Sequence, residues 1–203
     1  MRQFVQEEGG ILMLKRLLDI IGAVAGLTLF SPAYIIIILG QKISSNGPIF
    51  YAQERIGKNG KAFNIIKFRT MTVNCEDDGI PQLAEENDER LTKFGKFLRS
   101  HHLDEMPQLW NVLCGDMSFV GYRPERRFFI NQILMRRPDY TLLYQIRPGI
   151  TSKATIYNGY TNTMEKMITR LDMDLEYLHH HSLWIDTKIV AKTFFRIIFG
   201  RKI

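Results

Sequence analysis

Asp104 and Glu105 stand side by side in RSHHLDEMPQLWNVLCGDMSFVGYRP, residues 99–124, directly ahead of a run that reads as a helix with Pro107 in its first turn. Carboxylates at a helix start are held as anions by the free N–H groups and the macrodipole. Arg99 lies five residues upstream and Arg123 nineteen downstream of this pair's Asp104, and Lys67 and Arg69 close the second of two strands. Cations beside an acid pair can hold a diphosphate, a divalent metal and an ionised Asp together. Those are the ingredients for attack by a carboxylate on phosphorus. On these residues alone the plainer reading, Asp104 as a helix N-cap, stays open.

Other chemistries find no pattern. The chain has no G-x-x-x-x-G-K-[ST] phosphate loop and no G-x-G-x-x-G dinucleotide turn. Cys75 and Cys114 are too far apart for a zinc ribbon. His179, His180 and His181 are consecutive, so a helix does not aim them at one point. His101 and His102 adjoin the acid pair, but their spacing demands no metal.

The elements around the acid pair are an uneven set. Leu17 to Gly40, LLDIIGAVAGLTLFSPAYIIIILG, is almost wholly apolar, with Asp19 as its one charge. At about 1.5 Å per residue it is long enough to cross a bilayer core of about 30 Å. Pro32 breaks it after Ser31, and cations flank it on both sides, Lys15 and Arg16 before and Lys42 after. That symmetry favours a broken helix that enters one leaflet and returns, over a single span or a buried core helix. Pro48–Ile56 and Ala62–Arg69 read as strands joined across Asn59-Gly60, a pair that tolerates positive φ. Residues 75–90 carry seven acids against one Arg and read as a solvated loop. Helices follow over Leu91–Ser100, over Pro107–Leu113 up to a stop at Gly115, and over Pro124–Arg137 with Phe128, Phe129, Ile133 and Leu134 on one side. From Lys188 to Ile203, apolar residues at helical spacing alternate with Lys188, Lys192, Arg196, Arg201 and Lys202, a pattern that suits an anionic membrane surface or a packed surface helix. The resulting division is 1–43 for the N-terminal segment and membrane helix, 44–187 for the catalytic domain and 188–203 for the basic helix.

Composition narrows the partners. The 203 residues are 45% hydrophobic and 24% charged, which excludes a disordered chain, and two cysteines do not make a disulfide scaffold. Lys and Arg exceed Asp and Glu by 27 to 21, a net +6 that favours phosphates or an anionic membrane. Nucleic acid is disfavoured, because these cations are interspersed with Phe and Ile and form no aromatic-basic stripe. A membrane-anchored adaptor for an anionic partner is the non-enzymatic alternative, but an adaptor has no need of the acid pair.

Lys15-Arg16…Asp19, Ser31-Pro32, GPIFYAQERIG (47–57), KFRTM (67–71), LDEMPQLWNVLCGDMSFVGYRP (103–124) and IRPGIT (146–151) together resemble the small monotopic phosphoglycosyl transferases, the bacterial sugar transferases that begin glycoconjugate assembly on a polyprenyl phosphate. The resemblance runs from about Lys15 to the tail. It implies an α/β fold in which a re-entrant helix, broken at Ser31 and Pro32, packs on a small α+β catalytic domain with a β-hairpin and amphipathic interfacial helices. It also implies a place on the cytoplasmic face of a bacterial inner membrane, and it leaves a homo-oligomer open. Asp104 would attack a UDP-sugar, release UMP and pass the phosphosugar to polyprenyl (undecaprenyl) phosphate. Glu105, with Asp104, would hold Mg²⁺. Lys67, Arg69, Arg99, Arg123 and Arg147 would meet phosphates, and Asp172 matches an acidic position of the family. Two departures stand out: Tyr160 replaces an Arg expected to meet the nucleotide, and Tyr122 stands before Arg123 where Pro is common.

Overall fold

The computed structural model describes residues 2–44, 46–73, 88–159 and 161–198. Cys75, most of the acidic stretch 75–90, Tyr160 and the last residues of the tail lie outside them. Helix α1 (Arg2–Leu29) and helix α2 (Ser31–Ser44) form a pair bent by 58°. The break has a local chemical cause. Pro32 has no N–H to give the Thr28 carbonyl four residues back, and the Ser31 hydroxyl donates to that carbonyl instead, at 2.8 Å. The ladder is intact on either side of it, with Phe30 N–H on Gly26 O at 2.9 Å before and Tyr34 N–H on Phe30 O at 3.0 Å after. No single helix among the described residues is long and apolar enough to cross a membrane, while the bent pair together meets that test.

Both arms of the pair dock on the same body. On α1, Asp19 accepts from Phe119 N–H at 3.1 Å, and Ala23 is fully buried with Ile65, Val112 and Met117. On α2, Ile37 packs with Phe68 and Leu98, and Gln41 donates to Arg69 O at 2.8 Å. The outer faces stay apolar and bare: Leu29 is 74% exposed, Ile36 68% and Ile43 88%. Two of the flanking cations, Lys15 and Arg16, also make contacts within the protein. Lys15 pairs with Asp186 at 2.5 Å, and Arg16 donates to Val112 O at 2.6 Å and Leu113 O at 3.0 Å. They fasten the helix to the protein.

Strands β1 (Phe50–Ile56) and β2 (Ala62–Phe68) form the expected antiparallel hairpin, from Phe50 opposite Phe68 to Ile56 opposite Ala62. Asn59 (φ 59°) and Gly60 (φ 69°) take the positive φ values that suit this residue pair. Helix α3 (Lys93–Ser100) is capped by Thr92, whose hydroxyl accepts from Gly95 N–H at 2.8 Å. Helix α4 (Gln108–Cys114) ends where Gly115 turns left-handed at φ 95°. The three-residue strands β3 (Ser118–Val120) and β4 (Gly149–Thr151) pair in parallel, too short for any sequence period to reveal. Gly121 and Gly149 meet there so closely that a Cβ on Gly149 would lie 2.1 Å from Gly121 N.

Helix α5 (Arg127–Leu134) is shorter than its sequence signal. It buries Phe129, Ile130 and Ile133 against Met167 and Leu171 of α7 (Met164–His180), and leaves Phe128 42% exposed, so Phe128 is not on the core side. Helix α6 (Lys153–Tyr157) precedes α7, and α8 (Leu183–Ile198) starts five residues before the boundary read at Lys188.

Gly95 sets the seat of α3. A Cβ there would lie 1.9 Å from Thr70 O, a backbone atom that cannot swing away. Gly95→Ala is expected to cost about 1–3 kcal/mol by overpacking, read as a fall of several degrees in Tm. Exposed Gly10, with nothing within 4 Å of its Cβ position, should tolerate Ala without loss.

Candidate active site

The turn that carries the acid pair is set by its neighbours. His102 adopts the left-handed region (φ 54°, ψ 19°) and redirects the chain out of α3 into a 3-10 turn over Leu103–Glu105. Behind that turn, Asn111 of α4 imitates a strand partner: its Oδ1 accepts from Ile66 N–H at 3.0 Å and its Nδ2 donates to Asn64 O at 2.7 Å. The side chain thereby locks α4 to β2, and β2 presents Lys67 to the acid pair. In front, Tyr34 of α2 donates its hydroxyl to Met106 O at 2.6 Å, so the bent helix touches the chain one residue past Glu105.

Glu105 is the centre of charge. Its Oε1 accepts from Lys67 Nζ at 2.6 Å and from Arg123 Nη2 at 3.1 Å. Burial pushes its carboxyl up, but Lys67 and Arg123 together override that and hold it far below the usual carboxylate range. Asp104 is 6% exposed, and its Oδ1 is buried with no hydrogen-bond partner. Burial, with Glu105 adding to it, raises its carboxyl to about 6 against the opposing pull of Lys67, Arg99 and Arg123. Burial also lowers His102, with Arg123, Lys67 and Arg99 acting the same way against Glu105. Two adjacent carboxyls are thus driven apart, one a fixed anion and one able to exchange a proton near neutrality, which is how environment divides roles between paired acids.

Five of the residues singled out in the sequence therefore act on one another: Lys67, Arg99, Asp104, Glu105 and Arg123. Three others have different surroundings. Arg69 donates to Asn46 O at 3.2 Å at the seam between α2 and β2. Arg147 donates to Gly115 O at 2.8 Å and, with Arg16, places positive charge at the carbonyl end of α4. Asp172 is an exposed partner of Arg137 at 2.7 Å.

The acid of α7 that reaches the site region is Asp174, 2% exposed, which the sequence reading passed over. It accepts from Arg123 N–H and from the Ser152 hydroxyl, and burial lifts its carboxyl to about 7. Beside it Glu125 is held by Arg170 and by Arg55, the latter at 3.1 Å. A signal for Asp174 did exist: it shares the helical face of Met167, Arg170 and Leu171, all buried, whereas Asp172 does not.

Among the described residues no group of three or more His, Cys, Asp or Glu gathers in the manner of a protein-only metal cage. Mg²⁺ does not need one. It binds through one or two carboxylates, keeps waters and takes substrate phosphates. Asp104 and Glu105, with Asp104 Oδ1 unpartnered, fit that mode.

A bent apolar helix pair is thus docked beside a buried acid pair and a set of cations. The chain belongs to the bacterial sugar transferase family, whose family model matches residues 11–200. It is 40% identical over 187 residues to a UDP-N-acetylgalactosamine-undecaprenyl-phosphate N-acetylgalactosaminephosphotransferase of Aeromonas hydrophila, covering 92% of this chain and 44% of that one. It is 44% identical over 187 residues to a UDP-glucose:undecaprenyl-phosphate glucose-1-phosphate transferase of Klebsiella pneumoniae, covering 91% of this chain and 40% of that one. An exopolysaccharide production protein of Rhizobium leguminosarum bv. phaseoli is 36% identical over 194 residues and is 94% covered. The chain thus spans less than half the length of the first two relatives and nearly all of the third.

The separation of the two carboxyls is measurable without turnover. Difference infrared titration, wild type minus Asp104→Asn, is expected to show a carboxyl band titrating near pH 6. Lys67→Met removes a cation that favours the anion, so the band should move to higher pH.

Proposed function

We propose that the chain transfers a sugar-1-phosphate from a UDP-sugar to a polyprenyl phosphate, with Asp104 as nucleophile. The observation that carries this is the buried Asp104 carboxylate, with an unpartnered oxygen, next to a glutamate already held by two cations. An Asp carboxyl near 6 is about nine-tenths ionised at pH 7 and, being poorly solvated, is primed to attack. In the first half-reaction its oxygen bonds to the sugar-proximal phosphorus, the bond from that phosphorus to the bridging oxygen breaks, and UMP leaves. In the second, a phosphate oxygen of the polyprenyl phosphate attacks the same phosphorus. The aspartyl bond breaks, giving a polyprenyl diphosphate sugar and restoring Asp104.

Phosphoryl transfer is governed by positioning and charge neutralisation. Lys67, Arg99 and Arg123 supply fixed positive charge around the acid pair, and Glu105 keeps Lys67 and Arg123 in place before substrate arrives. Mg²⁺, held by Asp104 and Glu105, would add neutralisation of the diphosphate. The names of the Aeromonas and Klebsiella relatives support the donor and acceptor classes, and they differ in sugar, which makes the sugar the variable to screen.

We infer further that α1 and α2 form a re-entrant element on the cytoplasmic face. Both arms dock on one catalytic body while their outer faces expose Leu29, Ile36 and Ile43. The membrane-embedded break then lies next to the turn bearing the acid pair, where a lipid phosphate must meet a soluble nucleotide.

UMP release from a panel of UDP-sugars, with polyprenyl phosphate and Mg²⁺ in detergent, tests the chemistry. Asp104→Asn should lose turnover by about 10³-fold or more, and Lys67→Met or Arg123→Met by about 10²–10³-fold. The wild-type rate should fall as pH drops through about 6, because protonation removes the nucleophile. Full turnover by Asp104→Asn would exclude the covalent route. For topology, Met13→Cys and Ser44→Cys, at exposed positions on the two arms of a chain carrying Cys75→Ser and Cys114→Ser, should both react with an impermeant thiol reagent from the cytoplasmic side only. Opposite-side labelling would mean a span.

A further inference from the structure

The acid-pair chemistry makes no use of α8. Along it, Trp184, Lys188, Lys192 and Arg196 follow at four-residue spacing and share one face. The contacts of these cations are aromatic rings, a phenol and a carbonyl. Lys188 Nζ lies 4.8 Å from the Trp184 ring centre, and Lys192 Nζ donates to the Tyr157 hydroxyl at 2.6 Å. Arg196 donates to Ile156 O and lies 5.9 Å from the Tyr157 ring centre. The hydrogen bond from Lys192, and the charges of Lys192, Arg196 and Lys153, hold the Tyr157 phenol below its usual range, so the local field favours an anion. Lys153, by contrast, is matched by Glu176 at 2.6 Å.

Beside this row, between α6, α7 and α8, opens a cavity of about 220 Å³ whose apolar lining includes Ile156, Ile185 and Ile189 and whose rim includes Lys188 and Lys192. Trp184, whose ring Lys188 covers, is 66% exposed, and Phe194 and Phe195 are 56% and 58% exposed on the same helix. Tryptophan and phenylalanine bared beside Lys and Arg suit the headgroup layer of a bilayer, with rings below and cations among phosphates. The Lys15–Asp186 ion pair ties α8 to α1, one arm of the bent apolar pair.

We propose that the row Lys188, Lys192, Arg196 and the adjoining cavity bind the headgroup of an acidic phospholipid, at a site separate from the acid pair. The phosphodiester meets the two lysines and Arg196, and the first acyl carbons lie over the isoleucines. This adds a specific lipid contact to the membrane reading above and does not depend on the transfer reaction, so its test can fail while that reaction stands.

The full chain in neutral detergent, carrying Trp110→Phe, leaves Trp184 as the one tryptophan. Dioctanoyl phosphatidylglycerol is expected to change Trp184 emission saturably, while dioctanoyl phosphatidylcholine and inorganic phosphate are not. Lys188→Gln with Lys192→Gln should weaken the apparent affinity about tenfold or more, and Lys188→Arg with Lys192→Arg should retain it. Lys61→Gln with Lys166→Gln removes the same charge from exposed positions elsewhere and should leave affinity within about twofold. An equal response to phosphatidylcholine, an equal loss in the Lys61 and Lys166 variant, or displacement of phosphatidylglycerol by a much lower concentration of polyprenyl phosphate would each overturn the proposal.

Discussion

One carboxylate oxygen joins three distant stretches of this chain. Glu105 Oε1 accepts from Lys67 on the hairpin and from Arg123 beyond β3, so hairpin, acid turn and β3–α5 segment meet at a single atom. Remove that anion and two cations are left facing each other with no carboxylate between them. Keep it, and both cations are held in place, at the cost of holding Glu105 permanently ionised. Asp104 then needs no ion pair of its own, and burial leaves its Oδ1 without a partner. The division between a structural anion and a reactive one follows from which of the two neighbours the cations reach.

The remaining architecture keeps that atom beside the bent apolar helix pair. Ser31 and Pro32 bend the apolar helix without leaving a bare carbonyl, since the Ser31 hydroxyl covers Thr28 O. The bend lets both arms lie along the catalytic body, and Tyr34 links the second arm to Met106. Asn111 locks α4 to β2 from the other side, while Arg16 and Arg147 cover the carbonyl end of α4. Asp174, Ser152, Arg170, Glu125 and Arg55 then hold the backbone around Arg123. Few of these residues would touch substrate, and together they fix the few that would.

What the sequence made legible was local. The hairpin announced itself through Asn59-Gly60, the helix break through Pro32, and the acid pair through its place before Pro107 among Arg and Lys. Long-range packing was not legible. Arg69 and Arg147 carry the charge a phosphate site wants, and their bonds to Asn46 O and Gly115 O are set by residues far away in the chain. Asp172 and Asp174 differ by two positions, and only their helical phase separates an exposed ion pair from a buried contact with Arg123. Lys15 and Arg16 read as membrane flanks and turned out to fasten α1 to α4 and α8. The short β3–β4 pair, which depends on Gly121 and Gly149 meeting, left no periodic trace at all.

The central claim is that Asp104 becomes covalently bonded to phosphorus. It is tested most directly by peptide mass spectrometry after brief exposure to the accepted UDP-sugar with no polyprenyl phosphate present. A mass gain of one phosphosugar is expected on the peptide containing Asp104, lost on addition of polyprenyl phosphate and absent from Asp104→Asn. An adduct on another residue, or transfer to the lipid acceptor at full rate with no adduct at any time, would contradict it.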